Sequence, residues 1–112
     1  MIEKIVLEYL DNALPVRCYS EVPRSPSHEK YIVVEKTGSR TENLIETLTI
    51  AVQSYAKTMY EAAALNADVK RVMEAFEDSP DISMCELNSD YNFTDMTVKG
   101  YRYQAVFEIV EF

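Results

Sequence analysis

The 112-residue sequence has no tryptophan, one histidine, two glycines and two cysteines. Two cysteines, Cys18 and Cys85, are too few to staple a small secreted domain, so two reduced, partly buried thiols in an intracellular product are expected. Neither Gly38 nor Gly100 belongs to a phosphate-cradling loop. His28 and the two cysteines supply three nitrogen or sulfur ligands, one fewer than a structural zinc takes. A nucleophilic Cys–His pair between His28 and Cys18 or Cys85 would have to form in space, since no local signature marks one. Carboxylates are plentiful, but spacing alone nominates no acid and base without a cleft to hold them. No catalytic residue, no cofactor and no metal site is therefore assigned, and the expectation is a protein that is not an enzyme.

Long apolar runs are also missing. None approaches the ~20 residues that span a bilayer, and Met1-Ile2-Glu3-Lys4 lacks the basic and apolar regions of a secretory signal. The expectation is a soluble, intracellular single domain over residues 1–112, with no membrane partner. Basic residues are scarce as well. Eleven of them against nineteen acidic ones leave a net charge of −8, which argues against general affinity for nucleic-acid phosphates. The imbalance sits in the second half: residues 1–56 carry −2 and residues 57–112 carry −6. Between Arg71 and Lys99 stand Glu74, Glu77, Asp78, Asp81, Glu86, Asp90 and Asp95 with no base among them. Such a run is a solvated face, or a surface that repels DNA or meets a basic partner.

What is present is a strongly patterned chain, 47% hydrophobic. Ile2, Ile5, Val6, Tyr9, Leu10 and Ala13 recur at helical spacing, and Leu14-Pro15 ends that helix. Val16 to Glu21 reads as a short strand. Val22 to His28, with Pro23 and Pro26, reads as a loop. Tyr31-Ile32-Val33-Val34-Glu35 is a β-branched strand. Lys36 to Asn43 reads as a polar turn into a long alternating strand, Leu44 to Tyr55. In that strand Leu44, Leu48, Ile50 and Val52 take the core face, while Thr47, Thr49, Gln53 and Tyr55 take a semi-polar one. Thr58 and Glu61 form a capping box, opening a helix to about Asp78 whose buried stripe is Met59, Ala62, Leu65, Val69, Val72, Met73 and Phe76. After Ser79-Pro80-Asp81 come two strands, Ile82 to Phe93 and Tyr101 to Phe112, joined by a turn at Thr94 to Gly100. Tyr101, Tyr103, Ala105, Phe107 and Ile109 share one face of the last strand. The fold class is α+β: a mostly antiparallel sheet of about five strands with two helices packed on it, in the order α-β-β-β-α-β-β.

Eight tyrosines place amphipathic rings along strands and turns. Tyrosine on a semi-polar sheet face either covers the core with its hydroxyl in water or forms a subunit interface. A small sheet also has edges that must be paired, covered or charged, and a ring of identical subunits would satisfy them.

Three strings then resemble one family. Glu21-Val22-Pro23 followed by Tyr31 to Gly38, the strand-to-helix passage Ile50 to Ala56 leading to Ala62-Ala63, and Tyr101 to Glu108 are together similar to the tail-terminator (tail-completion, or minor capsid) proteins of long-tailed bacteriophages and prophages. The resemblance runs in order along nearly the whole chain. It implies a ring, typically of six subunits, on the head-proximal end of the tail tube. Such a ring stops tube polymerisation and presents the surface that the filled head joins. The implied partners are further copies of the chain, the tail-tube protein and a head-completion or connector protein. DNA passes through without specific binding, and the location is the virion tail, assembled in the host cytoplasm. Contacts are expected first from the turns holding Lys36, Arg40 and Asp95, then from the loop with Arg24 and His28, and from Tyr55 and Arg102 on the sheet. A neck or head-completion protein of the same joint is the neighbouring alternative. An acidic DNA-mimic inhibitor is the alternative of a different class.

Overall fold

The computed structural model of the chain describes residues 2–23, 30–95 and 100–112; Arg24 and His28 lie outside the described residues. The elements follow in the order α1 (Ile2–Ala13), β1 (Arg17–Tyr19), β2 (Tyr31–Glu42), β3 (Ile45–Ala56), α2 (Met59–Met73), a 3-10 turn (Glu74–Asp78), β4 (Ile82–Asn92) and β5 (Tyr101–Glu111). The five strands form one sheet in the order β1-β2-β3-β5-β4. β1 runs parallel to β2, and the other neighbours are antiparallel. The α+β class and the α-β-β-β-α-β-β order match the sequence expectation.

Both helices pack on one face of this sheet. Ile2, Val6 and Leu10 of α1, with Leu65, Val69 and Met73 of α2, join Ile32 and Val34 of β2, Ile50 and Val52 of β3, and Ala105, Phe107 and Ile109 of β5 in a single buried cluster. The period of 3.6 in the helices and of 2 in the strands brings these residues to one layer. Ile50 is fully buried, so truncating it to alanine costs about 2–5 kcal/mol. Helix α1 stops where Pro15 requires, its last turn closed by the Leu14 N–H to the Leu10 carbonyl at 2.9 Å. At the start of α2 the Thr58 hydroxyl accepts the Glu61 N–H at 3.1 Å, as the capping box predicts. The end differs: the helix tightens into a 3-10 turn after Met73, which still buries Phe76.

Further sequence expectations are corrected, beginning with Met59, which is exposed and not part of the buried stripe of α2. The strand expected over Val16 to Glu21 contracts to Arg17–Tyr19. Lys36 to Asn43 is not a turn, because β2 continues to Glu42 with a bulge between Lys36 and Gly38. From Thr37 to Glu42 the β2 side chains of both faces are exposed or half-buried, and the sequence loses its alternation. The turn itself is Asn43-Leu44, with φ of 50° and 67°. Leu44, expected on the core face, therefore occupies the tip and is wholly exposed. A β-hairpin turn of two left-handed residues suits asparagine and glycine. A leucine there costs about 1–2 kcal/mol. Among the described residues no helix is long and apolar enough to cross a membrane.

Candidate interaction surface

Residues of the sheet that do not face the helices lie on its other side, where no helix of the described residues packs. Strand register assembles an array there. Tyr31 stands opposite Tyr55 and Val33 opposite Gln53 across β2–β3. Tyr55 stands opposite Arg102 and Gln53 opposite Gln104 across β3–β5, and Gln104 stands opposite Tyr91 across β5–β4.

The side chains interlock. Tyr31 stacks on Tyr55 with ring centroids 4.7 Å apart and planes 9° from parallel, and Tyr19 of β1 meets Tyr31 edge-on at 6.0 Å. The Arg102 guanidinium carbon lies 4.5 Å from the centroid of the Phe93 ring and 5.6 Å from that of Tyr55. Arg102 also donates Nε to the Phe93 carbonyl at 2.7 Å and Nη1 to the Tyr55 hydroxyl oxygen at 2.9 Å. The Tyr55 hydroxyl donates to Gln53 Oε1 at 3.2 Å, Gln53 Nε2 to Gln104 Oε1 at 2.8 Å, and Gln104 Nε2 to the Tyr91 oxygen at 2.7 Å. Rings and hydrogen bonds thus run unbroken from Tyr19 to Tyr91, through all five strands. Burial raises the Tyr31 hydroxyl pKa, with Tyr55 adding to the rise and Arg102 opposing it. The two glutamines are buried, whereas Tyr91 and Phe93 stay about two-fifths exposed. Buried amides held at both ends leave little rotamer freedom to lose when a partner binds.

Further along the same face, Arg40 of β2 reaches Glu108 of β5 with two hydrogen bonds, 2.8 and 3.4 Å, and Asn88 donates to the same carboxylate at 3.3 Å. The Arg40 bond holds the Glu108 carboxyl below its ordinary pKa, and Glu108 raises that of Arg40.

Of the contact residues expected from the sequence, Tyr55 and Arg102 touch each other in this array, and Arg40 shares their face. Lys36 takes the opposite face, beside Glu3, Lys4 and Leu7 of α1. Asp95 lies exposed in the β4–β5 connection. Gln53 is expected on the semi-polar face but not as a contact, and Gln104 and Glu108 are not expected as contacts either. Their signal is the polar phase of β5, in which Arg102, Gln104 and Glu108 alternate with core residues.

The two thiols stand apart. Cys18 lies in β1 and Cys85 in β4, the opposite edges of the sheet, so four interstrand spacings, roughly 19 Å, keep them from sharing one site. Both are free, and burial first, then a neighbouring carboxylate, pushes each thiol up to about 12. Neither is a thiolate at neutral pH, which is the form a nucleophile needs.

The acidic run is not uniformly a solvated face. Glu77 accepts the Cys85 backbone N–H, and Asp90 accepts from Asn66 and from Lys70 of α2, at 3.2 and 3.1 Å.

No family model matches the chain, and no curated protein matches it.

Proposed function

We propose that the chain is a structural virion protein of a phage or prophage, forming a ring on the head-proximal end of the tail tube. It ends tube polymerisation there and joins tail to head, without catalysing a reaction. The observation that carries this reading is the array from Tyr19 to Tyr91 on the sheet face away from both helices. Aromatic rings and arginine are the residues that anchor protein interfaces, and here they are held in place before any partner arrives. The resemblance of three strings to the tail-terminator family supplies the class of partner: further copies of the chain, the tube protein, and the head-completion protein.

The charge supports the same reading. DNA traversing such a ring meets a chain with a net charge of −8, which does not adhere to phosphates. Its place is the virion tail, after assembly in the host cytoplasm.

Native mass spectrometry of the chain, alone and mixed with the tube protein encoded beside it, tests the reading. A closed oligomer near six copies, and tubes of limited length in the mixture, are expected. A chain that stays monomeric and leaves tube growth unchanged overturns it.

A further inference from the structure

The tip of the β2–β3 hairpin combines two features that the fold of one subunit does not use. Leu44 is wholly exposed although its backbone takes φ 67°, a conformation that glycine adopts without cost. Ile45 beside it is also more than half exposed, and Glu42 and Glu46 flank the pair. An apolar residue in a strained, solvated position contributes nothing to the isolated subunit.

At the other end of β2 the sheet leaves a groove. β1 pairs only as far as Val33, so beyond it the outer side of β2 has no strand neighbour. A cavity of about 470 Å³ opens there against α1, lined by Leu7 and Ser20 above the buried Val34, with Lys4, Lys36, Glu3 and Glu35 around them. Lys36 makes no ion pair among the described residues, and Lys4 has only an exposed, 3.9 Å contact with Glu8. The volume accepts a leucine and an isoleucine side chain; Glu3 and Glu35 offset the two lysines in overall charge, so the match to Glu42 and Glu46 is local, at Lys4 and Lys36.

Tip and groove cannot meet within one subunit. Ten residues of extended strand separate Val34 from Leu44, about 30 Å. A contact between them must join two copies through different patches, the head-to-tail arrangement that closes into rings.

We infer that the hairpin tip of one copy, Leu44 and Ile45 with Glu42 and Glu46, docks into the groove between α1 and β2 of the next copy, with Lys4 and Lys36 facing the two glutamates. The inference rests on the ring reading and names its subunit contact.

Two variants with different lesions test it in native mass spectrometry and sedimentation. Leu44→Asp spoils the tip and leaves the groove; Ser20→Trp fills the groove and leaves the tip. Each alone is expected to lower self-association by at least about tenfold. Mixed, they are expected to give a heterodimer that grows no further, since one sound tip meets one sound groove. Leu44→Gly is expected to weaken association while raising the thermal midpoint of the subunit, a combination that misfolding does not produce. In a third test, Leu44→Cys and Ser20→Cys copies are mixed and oxidised, and a cross-link between the two is expected. A chain that self-associates with unchanged affinity in both single variants, or that gives no such cross-link, overturns the docking and leaves the ring standing. A wild-type chain that is monomeric at every concentration and ignores the tube overturns both.

Discussion

Glu77 accepts a hydrogen bond from the backbone N–H of Cys85 at 2.8 Å, and at the far edge of the sheet Asp11 accepts the N–H of Cys18 at 3.2 Å. A carboxylate from the helical side thus caps one outward donor on each edge strand. An exposed edge donor is a template for a further strand, and β4 adds two register shifts that spoil such pairing.

The capping predicts the effect of Glu77→Ala. Stability should fall by about 1 kcal/mol, and light scattering on heating should rise as β4 becomes able to pair between molecules. Unchanged denaturation and unchanged scattering together would remove the edge-guard role from Glu77.

The same two carboxylates lie near the thiols, which burial and that charge push up to about 12. An unfolded thiol ionises near 9, so between about pH 9 and 12 the unfolded chain has lost protons that the native chain keeps. Stability therefore falls as pH rises through that window, and is unaffected by the thiols below it. Urea midpoints from pH 7 to 11 should decline, less steeply in the Cys18→Ala, Cys85→Ala double variant. At pH 8, a thiol reagent should label the native chain far more slowly than the denatured one.

Arg102 holds Phe93 and Tyr55 together by hydrogen bonds and by its planar face. Arg102→Lys keeps the charge but not the fork or the stacking. It should cost about 1–2 kcal/mol, nearly as much as Arg102→Ala. A lysine variant with wild-type stability would show that charge alone suffices.

The Arg40–Glu108 pair has a pH signature of the opposite sign from the thiols. Glu108 is held below its ordinary pKa, so its contribution is complete above the unfolded value and is lost as pH falls through the folded one. The stability difference between wild type and Glu108→Gln should be present at pH 7 and should fade below about pH 4. It should also shrink in high salt, because the Arg40 side chain is half exposed. A difference that persists at pH 3 would assign the effect to packing.

Much of the architecture is local chemistry that one chain segment carries by itself. Pro15 ends α1, Thr58 caps α2, and the helical and alternating apolar phases mark which residues face the core. Those effects depend on neighbours within a turn or a strand, so the α-β-β-β-α-β-β order and the helix-facing layer are legible in the residues. Where β2 ends was not legible. Hydrophobic alternation is imposed by a covering layer, and from Thr37 to Glu42 the side chains of both faces are exposed or half-buried, so these residues carry no pattern to read. For the same reason Leu44 counted as a core residue, although a two-residue turn places it at the tip.

The sheet order decided the rest. That β5 inserts between β3 and β4 is a long-range choice no local signal encodes, and it alone puts Arg102 opposite Tyr55 and Gln104 between Gln53 and Tyr91. By itself the sequence determined the fold class, the end of α1, the start of α2 and most of the core face, because these follow from local sterics and periodicity. Only the tertiary structure decided which polar side chains share the open face, because interstrand register, not sequence spacing, sets their distances.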